Sequence, residues 1–199
     1  LDGSSAASDV YKRQMITLPV YDKNRGILMP PDAHPANTLD QGIVWLGRTV
    51  SWCVPVMAAL VLVIVVLRYG FNTGAIAAQE TVQYLHAAIF MLGAAVALQA
   101  DQHVRVDIFY RRFSARQQAW VNGLGHVVFT LPLCSLIGWG SWDYVIDSWA
   151  AKEASPEPGG LPLVYLLKTL IPVMAVLLAL QALAQIARAL TTLRQRDNA

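Results

Sequence analysis

VPVMAALVLVIVVL, residues 54–67, decides the fold. It holds no charge, and with its flank from Val44 it reaches the roughly 20 mostly apolar residues that a helix needs to cross hydrocarbon. Three more stretches read the same way. The second runs from Thr81 to Ala100, the third from Trp120 to Ile146 through VVFTLPLCSLIGWG, and the fourth from Leu163 to Ala187. Pro55, Pro132 and Pro172 fall inside three of the four. Neighbouring helices in a bilayer can satisfy the carbonyls that proline frees, so local kinks are expected there.

Composition agrees with this reading. Of the 199 residues 55% are hydrophobic and 14% charged, against about 25% charged in a soluble domain, and mean hydropathy is +0.43. The formal charge of +2 is too small to point to nucleic acid. Cys53 and Cys134 lie in apolar blocks and read as small buried hydrophobes. Fold class is therefore all-α integral membrane protein with four transmembrane helices. Residues 1–14 (LDGSSAASDVYKRQ) lack a starting Met and read as a non-native extension, outside the fold argument. Residues 15–42 read as a cytoplasmic lead-in, where Pro30, Pro31 and Pro35 oppose a long helix. The membrane domain is expected over 43–190 and a cytoplasmic tail over 191–199.

The placement of Lys and Arg sets the orientation. With the N-terminus inside, and residues 1–14 left out, ten basic residues lie inside and three outside: Arg68, Lys152 and Lys168. Both termini are therefore expected in the cytoplasm. Trp45 and Trp120 sit at inner span ends. Tyr69, Trp142, Trp149 and Tyr165 sit at outer ones, the headgroup level that amphipathic rings favour. Lys168, one turn into the fourth span, is expected to snorkel outward.

Chemistry has few places to reside. In the 2–3 connection, Asp101 and Arg105, and Asp107 and Arg111, stand four apart in the order that favours a helix. An interfacial helix fits there, with Arg111, Arg112 and Arg116 on lipid headgroups; a solvated positive-inside loop is the plainer reading. The 3–4 connection, rich in Pro and Gly, must turn sharply, either as a plain connector or as a docking surface. Pro162 is placed near the first helical position of the fourth span. Glu80 precedes the second span. Asp143 and Asp147 make at best a weak cation pair. His86 and His126 could suggest haem, but their depths place them in opposite membrane halves, and helix packing or interhelical hydrogen bonding fits better. Gly93 and Ala97 offer span two a close-approach face, for internal packing or for a partner. Gly123-x-Gly125 and Gly138-x-Gly140 read as helix packing. No Ser/His/Asp set, phosphate loop or Cys/His metal spacing is present, so neither an enzyme nor a cofactor is expected. No internal repeat supports a self-contained carrier.

Three stretches carry a resemblance to a known family. Arg68-Tyr69-Gly70-Phe71-Asn72 followed by Glu80 looks like the RY-x-F-N…E signature of the small permease subunits of TRAP transporters, the DctQ type. His103-x-Arg105-Val106-Asp107 resembles that family's HxRVD element. Ser155-Pro156-x-Pro158-Gly159-Gly160-Leu161-Pro162 is similar to its GLP-containing entry to the fourth span, in the longer form of the mannitol/chloroaromatic-type branch. The resemblance covers about residues 43–190. It implies a helical scaffold in the bacterial or archaeal inner membrane beside a large DctM-type permease. An extracytoplasmic binding protein would deliver an organic anion, often a carboxylate, usually with sodium. Substrate sites would lie on the large subunit, and Arg68, Asn72, Glu80, His103, Arg105, Asp107, Gly160, Leu161 and Pro162 would be motif or interface positions.

Overall fold

A computed structural model describes residues 20–22, 27–29, 38–100 and 113–197. The expected interfacial helix after the second span, with His103, Arg105, Asp107, Arg111 and Arg112, lies outside these residues. Four helical stretches are long and apolar enough to cross a membrane: Leu39–Gly70, Ile76–Gln99, Arg116–Ala151 and Val164–Thr191. The first is built from α1 (Thr38–Ser51) and α2 (Cys53–Gly70). α3 (Ile76–Gln99) is the second. The third joins α4 (Ala115–Gly125), a π turn (His126–Thr130), α5 (Leu131–Gly140) and α6 (Trp142–Ala151). α7 (Val164–Asp197) is the fourth. Within the lead-in, backbone pairing of Val20–Asp22 with Ile27–Met29 makes a short antiparallel ribbon.

Helix starts differ from the sequence expectation. α1 begins at Thr38, six residues ahead of Val44, because the nearest proline before it, Pro35, leaves the following residues free to enter a helix. α3 begins at Ile76, so Glu80 lies within the helix instead of ahead of it. Pro162 stands two residues before Val164, outside the helix, and Leu163 accepts the first turn's bonds from Leu166 and Leu167.

Local sequence explains the breaks. Proline lacks the N–H that would reach the residue four before it, and its ring crowds that carbonyl. For Pro55 that residue is Ser51, where α1 ends. For Pro132 it is Val128, in the middle of the π turn. Pro172 lies inside α7, which continues through it. Ser114 and Gln117 start α4 as a reciprocal capping box: Gln117 N–H donates to Ser114 Oγ at 3.4 Å, and Ser114 N–H donates to Gln117 Oε1 at 2.9 Å.

The spans stand in a row. α7 packs on α3 and along the whole third span, while α1 and α2 pack on α3. The spatial order is therefore 1-2-4-3. Lipid tails offer no hydrophobic drive between helices, so close approach and interhelical hydrogen bonds hold them together. Small residues are among the most deeply buried: Ala95 on α3, and Ala175 and Ala182 on α7. Gly123 lies 3.5 Å (as a built Cβ) from Ala189, and Gly138 3.9 Å from Ala175, whereas Gly93, Gly125 and Gly140 meet nothing within 4 Å. Half of the expected glycine packing is thus internal, and Gly93 is not part of it. α2 buries none of its residues and turns a valine-rich surface outward.

Filling the tightest of these contacts should loosen the row. Ala182→Leu, at a fully buried site, is expected to cost about 1–3 kcal/mol by overpacking. A lowered melting temperature of the detergent-solubilised chain would register this; an unchanged melt would place Ala182 outside a close contact.

Candidate functional site

Polar side chains gather at both ends of the row. At the end that carries the 152–163 connection, Lys152 adopts left-handed backbone (φ 50°) and stops α6. Glu153 N–H then donates back to the Ser148 carbonyl at 3.0 Å. The segment Glu157-Pro158-Gly159-Gly160 forms a tight turn, with Gly160 N–H donating to the Glu157 carbonyl at 2.9 Å and Gly159 at φ +81°. Proline followed by a positive-φ glycine is the type II arrangement. Ser155 N–H donates to the Leu161 carbonyl at 3.0 Å and closes the loop on itself.

Glu80 holds this loop from α3. Its Oε2 accepts the Leu161 N–H at 2.6 Å, and its Oε1 accepts the Ser155 hydroxyl. A Cβ on Gly160 would lie 2.6 Å from Ser155 Cβ and 2.7 Å from Glu80 Oε1, so only glycine fits there without displacement. One turn further along α3, the Tyr84 hydroxyl is buried with no hydrogen-bond partner among the described residues.

Glu153 makes a second clasp. It accepts from Ser148 Oγ at 2.6 Å and pairs with Lys168 of α7. Lys168, expected to snorkel outward, reaches back along its span to Glu153 of the connection, with its ammonium 3.9 Å from the Tyr144 ring centroid. The ring of Trp149 meets Tyr165 edge-on at 4.7 Å and donates from Nε1 to Thr169 Oγ1 at 2.8 Å. Hydrogen bonds from Lys168 and then Ser148 hold the Glu153 carboxyl below its ordinary pKa.

The opposite end is organised by α7. Gln181, Gln185 and Arg188 share one helical face at i, i+4 and i+7. Gln185 Nε2 donates to the Leu98 carbonyl of α3 at 2.6 Å, and its Oε1 lies 2.9 Å from His126 Nε2. A carboxamide oxygen only accepts, so His126 carries its proton on Nε2. Its Nδ1 is 3.2 Å from Thr130 Oγ1. Arg188 donates to Asp40 of α1 at 2.5 Å, and the fully buried Gln181 reaches the same carboxylate oxygen at 3.5 Å. Gln181 Oε1 has no partner among the described residues.

Of the motif residues, Glu80, Gly160 and Leu161 meet in one network, and Pro162 leads from it into α7. Arg68 lies exposed in the last turn of α2. Asn72 follows with φ 52°, the left-handed cap that ends that helix. Neither makes a hydrogen bond to Glu80 among the described residues. Arg116 is exposed in the first turn of α4. Asp143 and Asp147 are exposed, and among the described residues no three His, Cys, Asp or Glu side chains converge for a metal. His86 is exposed, while both ring nitrogens of His126 lie within bonding distance of side-chain oxygens. Asp40, Gln181, Gln185 and Arg188 were missed in sequence, although the polar i, i+4, i+7 spacing in an apolar helix was there to find them.

Fold and polar networks together define a four-span helical membrane protein whose polar side chains tie its own spans together. The description "Tripartite ATP-independent periplasmic transporters, DctQ component" belongs to the family model that matches residues 57–192. The chain belongs to that family, one of transporter components and not of enzymes. It is also 37% identical over 86 residues to a TRAP transporter small permease protein of Haemophilus influenzae. That alignment spans 43% of this chain and 53%, about half, of the relative.

Two outcomes follow from the loop clasp. Gly160→Ala should displace the loop from Glu80 at a cost of about 1–3 kcal/mol, visible as a lower melting temperature and faster proteolysis within 152–163; protection equal to wild type would refute the close packing. Because the Glu153 pKa is lowered in the folded chain, its stabilising contribution is complete above the ordinary glutamate value of about 4.3. It is lost as pH falls through the lowered value. The melting difference between wild type and Glu153→Gln should therefore be flat near neutral pH and shrink only below that value.

Proposed function

We propose that this chain is the small, non-catalytic membrane subunit of a TRAP-type secondary transporter, a fixed scaffold beside a large DctM-type permease. The observation that carries the reading is the family match over residues 57–192, lying on a row of spans with broad apolar sides. A moving transport domain needs a wide, level frame, and a row of helices clasped at both ends supplies one. On this reading an extracytoplasmic binding protein delivers an organic anion, a carboxylate, and the large subunit carries it by an elevator-type step coupled to sodium. The long loop at 155–162 supports the mannitol/chloroaromatic-type branch.

Both termini lie in the cytoplasm of a bacterial or archaeal inner membrane on this reading, as the basic residues favour. The 152–163 loop then faces the binding protein's side. Arg68, Asn72, Glu80, Gly160, Leu161 and Pro162 shape that face, His103, Arg105 and Asp107 act at the opposite one, and Arg111, Arg112 and Arg116 meet lipid headgroups.

Co-expression supplies the test. This chain should co-purify with the large permease at equal stoichiometry. Proteoliposomes holding both should take up a carboxylate presented by the system's own binding protein under an inward sodium gradient, and either subunit alone should not. Full uptake by the large subunit without this chain would end the proposal.

A further inference from the structure

The stripe Gln41, Trp45, Arg48 and Trp52 stands apart from the rest of the outer surface. These residues recur at i, i+4, i+7 and i+11, one face of a helix. All four are exposed, Trp45 at 68% and Trp52 at 72%. On α2, directly after them, the exposed large residues are Val54, Val56, Val61, Leu62, Val63 and their neighbours. Exposed composition therefore changes at Trp52, from tryptophan mixed with polar groups to an aliphatic surface that runs as far as Val66, before Arg68 and Tyr69. The first suits the boundary between headgroups and acyl chains, the second the acyl chains themselves.

Contacts on the opposite face of α1 say how it lies. A built Cβ on Gly47 would be 3.0 Å from Val96 of α3, and Asp40 bonds to Gln181 and Arg188 of α7. Counting about 1.5 Å per residue, Val96 stands roughly 30 Å from the start of α3. Gln181 and Arg188 stand roughly 26 and 36 Å from the start of α7. The Gln185–Leu98 bond aligns α3 and α7 at this end. Val96 lies about 3 Å before that level, and Gln181 and Arg188 about 6 Å before and about 4.5 Å after it, so both anchor points of α1 fall near one level although Asp40 and Gly47 are about 10 Å apart along their own helix. An α1 running on parallel to α3 would instead carry Asp40 about 10 Å past the level of Val96, away from the buried Gln181.

Local bonds allow the bend. Thr49 Oγ1 donates to the Trp45 carbonyl at 3.0 Å and Ser51 Oγ to the Arg48 carbonyl at 2.8 Å, the back-bonding that bends helices. Pro55 frees the Ser51 carbonyl, and Trp52 N–H turns to Thr49 at 3.2 Å.

We infer that α1 is not the first half of a transmembrane span but an interfacial helix, packed on α3 and tied to α7 through Asp40, with Trp45 and Trp52 at the headgroup–acyl boundary of the bilayer. Asp40 and Gly47 fix it to the row, and α2 alone, about 27 Å long, crosses the hydrocarbon. This assignment rests on the four-span fold and is independent of the transport role.

Tryptophan quenching in proteoliposomes of the full chain tests it, using phosphatidylcholine brominated near the top or near the middle of its acyl chains. Trp45→Phe and Trp52→Phe are conservative replacements at exposed sites. Each should remove a similar share of the quenching by the shallow bromine and leave quenching by the deep bromine unchanged. If Trp45→Phe leaves shallow quenching untouched while Trp52→Phe reduces it, α1 projects straight into water, and the inference fails. Loss of deep quenching in either variant overturns it as well. Asp40→Asn provides the second arm: a released α1 should change the shallow quenching of Trp45 at least twofold more than that of Trp52, and equal changes would remove Asp40 from the anchoring role.

Discussion

Gln185 is the joint on which the row depends. It lies on α7, donates to the Leu98 carbonyl of α3 and accepts from His126 of the third span. One carboxamide thereby ties three of the four spans. Leu98 lies in the last turn of α3, where carbonyls run out of intrahelical donors. Glu80 does the converse at the other end: from within α3 it accepts the N–H of Leu161, just ahead of α7. At both ends, then, a polar side chain inside one helix satisfies backbone at the end of the next. Each link joins a side chain of one helix to backbone where a neighbouring helix ends or begins.

An open row has a consequence for the apolar residues. A closed helical bundle hides a core, whereas here most large side chains on α2 and α5 face outward. The hydrophobic effect does not select this arrangement in lipid, because tails and side chains are alike. Alanines at 95, 175 and 182 let backbones approach, and the polar clasps at the two ends set the register. The broad sides left over are apolar, aliphatic on α2 and set with aromatic rings such as Phe90, Phe129 and Trp139 elsewhere, suited to lipid or to another apolar protein surface. Membership in a family of transporter components gives such a surface a use.

The spans were legible in sequence because stretches such as 44–67, with Arg48 its single charge, reach the length that a membrane helix needs. Their order was not, because a helix apolar all round has no periodic face to say which side meets a neighbour. Glu80 and the Ser155–Pro162 motif were both visible, but nothing in one dimension says that they meet. Gly159 and Pro158 did announce a sharp turn, and a type II turn is what forms. Gln181, Gln185 and Arg188 escaped for another reason: glutamine adds nothing to a count of charges, so the polar face of α7 read as part of an apolar run. Lys168 was expected to reach outward, and its partner Glu153 could not be named because the fold of the connection it comes from was not legible.

Pro132 shows how an apparent defect sets the geometry. In an unbroken α-helix, His126 and Cys134 are eight residues apart and would face directions differing by roughly 80°. Both are buried. The π turn at His126–Thr130 holds one residue more than an α turn and so sets the register back by about one residue's rotation, roughly 100°. That brings the faces on either side of it to within about 20°. Proline four residues after Val128 makes an α-helical bond to that carbonyl impossible, so the irregularity falls where the chain already lacks a donor. One face of the third span can then follow α7 from Gly123 opposite Ala189 to Gly138 opposite Ala175. Without the π turn, the half bearing His126 would turn away from Gln185, and the joint that ties three spans would lose its third member.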